Sequence, residues 1–320
     1  MAVLRGVVAV LFMAGLAGGS VAQGSDPVSE RAAVYMTYQS NADDVGAKPF
    51  KSTKDIDDAL ATLGAFNADQ LTRGWISYSA LIASQDPEFR ANVRDIEAFY
   101  GRDRVVSSFA TGGSYARSLK GGDNAVSAAI GVTDTDLPRI YSSAAIVREQ
   151  GYSLQSHGWA KSRIRNSRQR AENVKLLQGQ GQSADNLILA ALTGPSINPG
   201  ADASLVNAVA TAGEVASAVR LPGFMNEGFT GGRKKVNYGK EPVANQIASV
   251  AALRILGAES VDQAKLSRVM LEPSVQGCMR MQNLQLQGCV AGVGQEFEVP
   301  HCISQHALKE IADCLGAVYK

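Results

Sequence analysis

Residues 67–101 read NADQLTRGWISYSALIASQDPEFRANVRDIEAFYG, and this stretch decides the fold class. Asn67-Ala68-Asp69-Gln70 has the form of a capping box, in which an N-terminal side chain and one three residues later satisfy each other's free N–H groups. Leu71, Trp75, Tyr78, Leu81 and Ile82 then fall at helical spacing and form one apolar stripe. Asp86-Pro87-Glu88 is a second start signal, because proline fits the first helical turn, where its missing N–H costs nothing. Phe89, Val93, Ile96, Phe99 and Tyr100 repeat the stripe, and Gly101 stops it. The short joint at Gln85-Asp86 predicts an antiparallel helical hairpin. An aromatic stripe of this kind reads first as core.

Working outward, Ser52-Thr53 caps a pattern of Ile56, Leu60 and Leu63. Further helical patterns cover 123–131, 138–177, 203–220, 243–257, 261–276 and 304–318. Pro138 is expected to open the longest of these, and Gly151 and Gly158 to interrupt it. Alternating β-branched runs are scarce, which argues against a large sheet. The expected fold is therefore all-α, a multi-helix bundle with a disulfide-stapled C-terminal hairpin. No internal repeat of solenoid period is present.

The N-terminus reads as an export signal. Arg5 supplies the positive charge, Val7 to Leu16 the apolar segment, and Ser20-Val21-Ala22 the small residues at a cleavage site. Cleavage after Ala22 removes one cation and no acid, leaving 30 cations against 30 acids. That balance disfavours nucleic acid as a partner, and no later apolar run predicts a permanent membrane anchor. The organisation expected is a signal peptide at 1–22, a polar lead-in at 23–50, a helical domain at 51–177, linker and loops at 178–202, and a helical region at 203–320. The alternative is one continuous helical domain with an inserted loop. Export is the expected setting, with the periplasm preferred and the extracellular space the alternative.

Cys278, Cys289, Cys302 and Cys314 are the four cysteines, and the preceding 277 residues contain none. In an oxidising compartment they read as disulfides; their spacings of 10, 12 and 11 intervening residues lack the close pairs that zinc ligands need. Twelve residues of helix would separate Cys302 from Cys314 by about 18 Å, against a disulfide Cα limit near ~7 Å. The nested pairing, Cys278–Cys314 with Cys289–Cys302, is preferred over the crossed one and staples subdomain 278–314. Met279/Met281 and Leu284/Leu286 leave open that 278–289 is extended.

No dinucleotide fingerprint, P-loop or paired-histidine zinc motif is present, so no cofactor is expected. Gly112-Gly113-Ser114-Tyr115-Ala116 has the outline of a nucleophile elbow without its final glycine. Ser114 with His157 is thus a weak catalytic pair beside the simpler reading of a turn and cap. Glu214, Glu227 and Glu241 are carboxylates that a cell-wall hydrolase could use. Binding is better supported. Lys161, Arg165, Arg168 and Lys175 share one helical face, preceded by His157 and Trp159, with Arg163 and Arg170 elsewhere. Leu221 to Pro242 is a long glycine-rich loop that places Phe229 beside Arg233, Lys234 and Lys235. These residues are expected to contact an anionic envelope polymer or a partner protein. A solvated cationic face, a carboxylate-dependent hydrolase and a self-assembling structural component are the alternatives.

Overall fold

The structure, a computed structural model, describes residues 26–193, 241–258 and 263–317. The expected signal peptide, the 203–220 helix, Glu214, Glu227, and Phe229, Arg233, Lys234 and Lys235 lie outside them. Every regular element among the described residues is helical; the single β contact is an isolated antiparallel bridge between Arg163 and Gln295. The all-α expectation holds.

Helix α1 (Pro27–Ala47) corrects the reading of 23–50 as a polar lead-in. Asp26 caps it by accepting from the amides of Val28 and Ser29, and its side chain also holds Arg254 from far along the chain. Helix α3 (Ala68–Ala83) lies against it. Gly74 permits the crossing, since a Cβ there would meet the Arg31 carbonyl oxygen at 2.7 Å. Ser29, Ala32, Ala33, Tyr35 and Met36 are all fully buried on α1. A helix enclosed on several sides shows no amphipathic stripe, which is why its small and polar residues looked like a lead-in.

The α3 stripe is buried as expected: Leu71, Trp75, Tyr78, Leu81 and Ile82 expose 1% or less of their surface. Helix α2 (Thr53–Gly64) buries Ile56, Leu60 and Leu63. Helix α4 (Pro87–Tyr100) is capped by Asp86 and buries Phe89 and Val93, but its far end leaves Phe99 79% exposed. It packs on α5 (Arg102–Phe109) and on the helices spanning Gly122–Leu154 and Glu241–Ile255 rather than folding back along α3, so the expected hairpin does not form. After the single turn α6 (Tyr115–Ser118), α7 (Gly122–Leu154) runs for 33 residues and continues through Pro138, which was expected to start a helix. Helices α8 (Ser167–Gln180) and α9 (Asn186–Thr193) follow.

Beyond residue 240 come α10 (Glu241–Ile255), α11 (Gln263–Val269) and α12 (Pro273–Gly292). Helix α12 is helical throughout 278–289, excluding the extended alternative. A 3₁₀ turn at Glu296–Glu298 leads into α13 (Val299–Cys302), a π-helical segment (Ile303–Lys309) and α14 (Glu310–Gly316). The disulfides are nested, Cys278–Cys314 and Cys289–Cys302, each with Cα atoms 5.7 Å apart. Helices on both sides of 194–240 share one contiguous apolar core. Among the described residues no helix is long and apolar enough to cross a membrane.

Among the polar side chains buried with that core is a carboxyl group. Asp136 on α7 is 3% exposed and accepts the Tyr78 hydroxyl at 2.7 Å, with the Arg139 guanidinium 3.9 Å away. Burial pushes its carboxyl above the usual carboxylate range, although Tyr78 and Arg139 pull the other way. The unfolded chain releases this proton near pH ~3.9 while the folded chain keeps it. The stability associated with the protonated form is therefore fully present below that pH and is lost as pH rises through the folded value. Asp136→Asn keeps an acceptor for Tyr78 and is expected to remove this fall. Urea denaturation of both proteins from pH 4 upward should give the variant the flatter curve. Identical slopes would mean that Asp136 ionises as freely in the folded protein as in the unfolded chain.

Candidate functional site

The last turns of α7 and its C-cap place Arg148, Tyr152 and Gln155 at spacings of four and three residues, so they share one stripe. Opposite them stand Cys289, Gly292 and Val293 at the end of α12, then Phe297, Glu298 and His301 from the turn into α13. Between the two walls lies an open cleft of about 340 Å³. Gly151 sets their separation: a Cβ there would lie 3.1 Å from Pro300 Cβ and 3.3 Å from the Phe297 carbonyl oxygen.

The second wall is a braced turn. Cys289–Cys302 ties its two ends together. Glu298 Oε2 accepts the amides of Gly294 and Gln295 at 2.6 and 2.9 Å, closing a capping box with Gln295. Arg170 reaches from α8 and donates to both oxygens of Glu296, at 2.8 and 3.1 Å, while its Nε contacts Asp57 at 2.9 Å. Arg170 and Glu296 are both buried. A bidentate pair with little water between its members fixes orientation as well as charge.

Against this turn lies the segment that carries the sequence-predicted cations. The Ile164 amide donates to the Gly294 carbonyl at 2.9 Å, Arg163 bridges Gln295, and the 3₁₀ turn Trp159–Lys161 packs on Glu296–Glu298. Trp159 is half-buried, and His157 is exposed. Lys161, Arg165, Arg168 and Lys175 do not share a helical face as expected, because the chain leaves helical geometry between α7 and α8. Lys161, Arg163 and Arg165 lie on that connection, Arg168 in the first turn of α8, and Lys175 two turns further on. All five are exposed, and among the described residues none has a carboxylate within ion-pairing distance. The exposed acid Glu172 interrupts the α8 face. Arg170, grouped with these cations by sequence, is instead committed to the interior.

The other candidates separate. Ser114 lies just before the N-terminus of α7 and His157 just beyond its C-terminus. A 33-residue helix spans about 50 Å, so the pair cannot act together. Ser114 instead lines a polar hollow with Arg117, Asp123 and Asn124. His306 pairs with Glu310 at 2.8 Å, whereas His301 faces the cleft. Among the described residues no group of three or more His, Cys, Asp or Glu side chains is placed to share a metal ion.

Sequence reasoning missed Arg148, Tyr152, Gln155, Phe297, Glu298 and His301. The spacing of the first three was visible, but a stripe of mixed polarity on a long helix reads as a solvated face until its opposite wall is known. Comparison with protein-family models, curated proteins and solved structures finds no match.

Proposed function

We propose that the chain is an exported, non-enzymatic binding protein that contacts an anionic polymer of the cell envelope. The observation that carries this reading is the set of exposed cations that have no carboxylate partner among the described residues, Lys161, Arg163, Arg165 and Arg168, fastened to one wall of the cleft. A solvated cationic face would be free to interleave with acids for local pairing. Here the segment is instead tied to the braced turn, and its neighbour Arg170 is committed to the buried Glu296 and to Asp57. The start of α8 adds to the field, since Asn166 makes no side-chain cap and the first turn holds no acid. Two disulfides suit an oxidising compartment, for which the periplasm is the proposed address.

Co-sedimentation of the mature, oxidised protein with purified cell-wall sacculi tests the proposal. Pelleting should be strong at low salt and fall steeply near 0.3 M, because the contacts are exposed charges screened over about 10 Å or less. Replacing Lys161, Arg163, Arg165 and Arg168 with Ala should weaken retention at least tenfold without changing the unfolding midpoint. Retention unaltered by salt and by the quadruple change would remove these residues from the contact. Release of soluble muropeptides would replace the reading with a hydrolase.

A further inference from the structure

The cleft beside the cationic segment has a chemistry of its own. Its approximately 340 Å³ lies at the small end of the ~300–1,000 Å³ span of small-molecule sites. Among the described residues two aromatic rings line it: Tyr152, 55% exposed, and Phe297, half-buried. Among the described residues the side chains of Arg148, Tyr152, Gln155 and His301 have no hydrogen-bond or ion-pair partner. Glu298 spends one oxygen, Oε2, on the turn amides and keeps Oε1 as an acceptor.

From this set we infer that the cleft binds one ring of an acidic sugar, a carboxylate-bearing pyranose. The inference rests on the proposed anion-binding role and names the unit that is recognised. Arg148 supplies the planar fork that matches a carboxylate, and His301 offers a second donor. Tyr152 and Phe297 provide flat apolar surface for the C–H faces of the ring. Gln155 and the free oxygen of Glu298 meet hydroxyl groups, the amide donating and accepting and the carboxylate accepting. The negative charge of Glu298 favours a singly charged carboxylate over a doubly charged phosphate. Among the described residues, the lining contains no aliphatic side chain apart from Val293 that would enclose the side chain of an acidic peptide. Further units of the polymer would run out over Lys161, Arg163 and Arg165.

The test is calorimetric titration of the full-length, oxidised mature protein with trigalacturonate, with a neutral trisaccharide of the same size, and with triglutamate, at constant ionic strength. Trigalacturonate should saturate one site and bind at least tenfold more tightly than either comparison ligand. Arg148→Met and Tyr152→Ala should each weaken it about tenfold or more. Both side chains are exposed, so these variants should keep the parent's unfolding midpoint. Arg280→Ala, an exposed change on α12 away from the cleft, should leave binding unchanged. Equal binding of the neutral sugar would overturn the role of Arg148, and equal or tighter binding of triglutamate would make the site a peptide site. Absence of saturation, or full affinity in Tyr152→Ala, would also overturn the inference. Trigalacturonate binding without salt-reversible retention on sacculi would keep the cleft and remove the broader role. Retention without trigalacturonate binding would remove the cleft alone.

Discussion

Arg170→Met is expected to destabilise the protein by about 3–5 kcal/mol, the usual cost of leaving one partner of a buried ion pair uncompensated. The guanidinium donates two bonds to Glu296, and both groups are buried. Without it the carboxylate must either remain charged in the interior or take up a proton. Asp57 adds little to the loss, because it is almost half exposed and its contact is screened. The double variant Arg170→Met/Glu296→Leu should recover most of the stability, since apolar replacements of similar volume are frequently no worse than the pair they replace. The same variant should still weaken trigalacturonate binding if the pair orients the Glu296–Glu298 turn. Urea denaturation of the two single variants and the double variant closes the cycle. A double variant no more stable than Arg170→Met would show that the loss came from packing of the Arg170 stem rather than from the stranded charge.

The second large effect separates the two disulfides. Chain-entropy arguments assign about 4 kcal/mol to Cys278–Cys314, which joins residues 36 apart, and about 3 kcal/mol to Cys289–Cys302, which joins residues 13 apart. Replacing each pair with serines should reproduce that order in urea, with added cost at Cys302 and Cys314, whose side chains are buried. The order should reverse in binding. Cys289 lines the cleft and its bridge holds the braced turn, whereas Cys278–Cys314 lies at the other end of the stapled helices. Titration under conditions where both variants stay folded should find the shorter-loop variant weakened and the longer-loop variant close to the parent. Comparable loss in both would mean that the turn is held by something other than its own bridge.

The elements legible in the sequence were those whose signal is local. The α3 stripe, with its Asn67 cap, and the Asp86-Pro87 start of α4 are patterns within a dozen residues, and the structure contains both helices. Helix rise likewise excluded a Cys302–Cys314 bridge, so the nested pairing was preferred from the sequence, and the structure decides it over the crossed one. Where local signal was ambiguous the reading went astray. Pro138 carries a start signal, yet α7 runs through it because the packed turns on both sides keep helical geometry. The carboxyl half of the α4 stripe looks like core, yet Phe99 projects beyond the neighbours that would cover it.

Residues 27–47 show most clearly what sequence leaves open. Ser29, Ala32, Ala33 and Gly46 are uninformative one by one, and they become core only because other helices approach α1 so closely. The candidate site has the same character. Its cationic segment was identified by composition, but placed on one continuous helix that the structure divides.

By itself, then, the sequence determined the all-helical class, the caps and apolar faces of individual helices, the exclusion of a Cys302–Cys314 bridge and the presence of a cationic segment, because each depends on spacing along a short stretch of chain. Only the tertiary structure decided that α1 is interior, that Arg170 turns inward to Glu296 while Lys161, Arg163, Arg165 and Arg168 stay exposed, and that Arg148 and Tyr152 face Phe297 and His301. Those outcomes depend on groups far apart along the chain, 43 residues for Gly74 against Arg31 and 126 for Arg170 against Glu296, whose contacts are selected by close packing and by the cost of burying an unpaired charge.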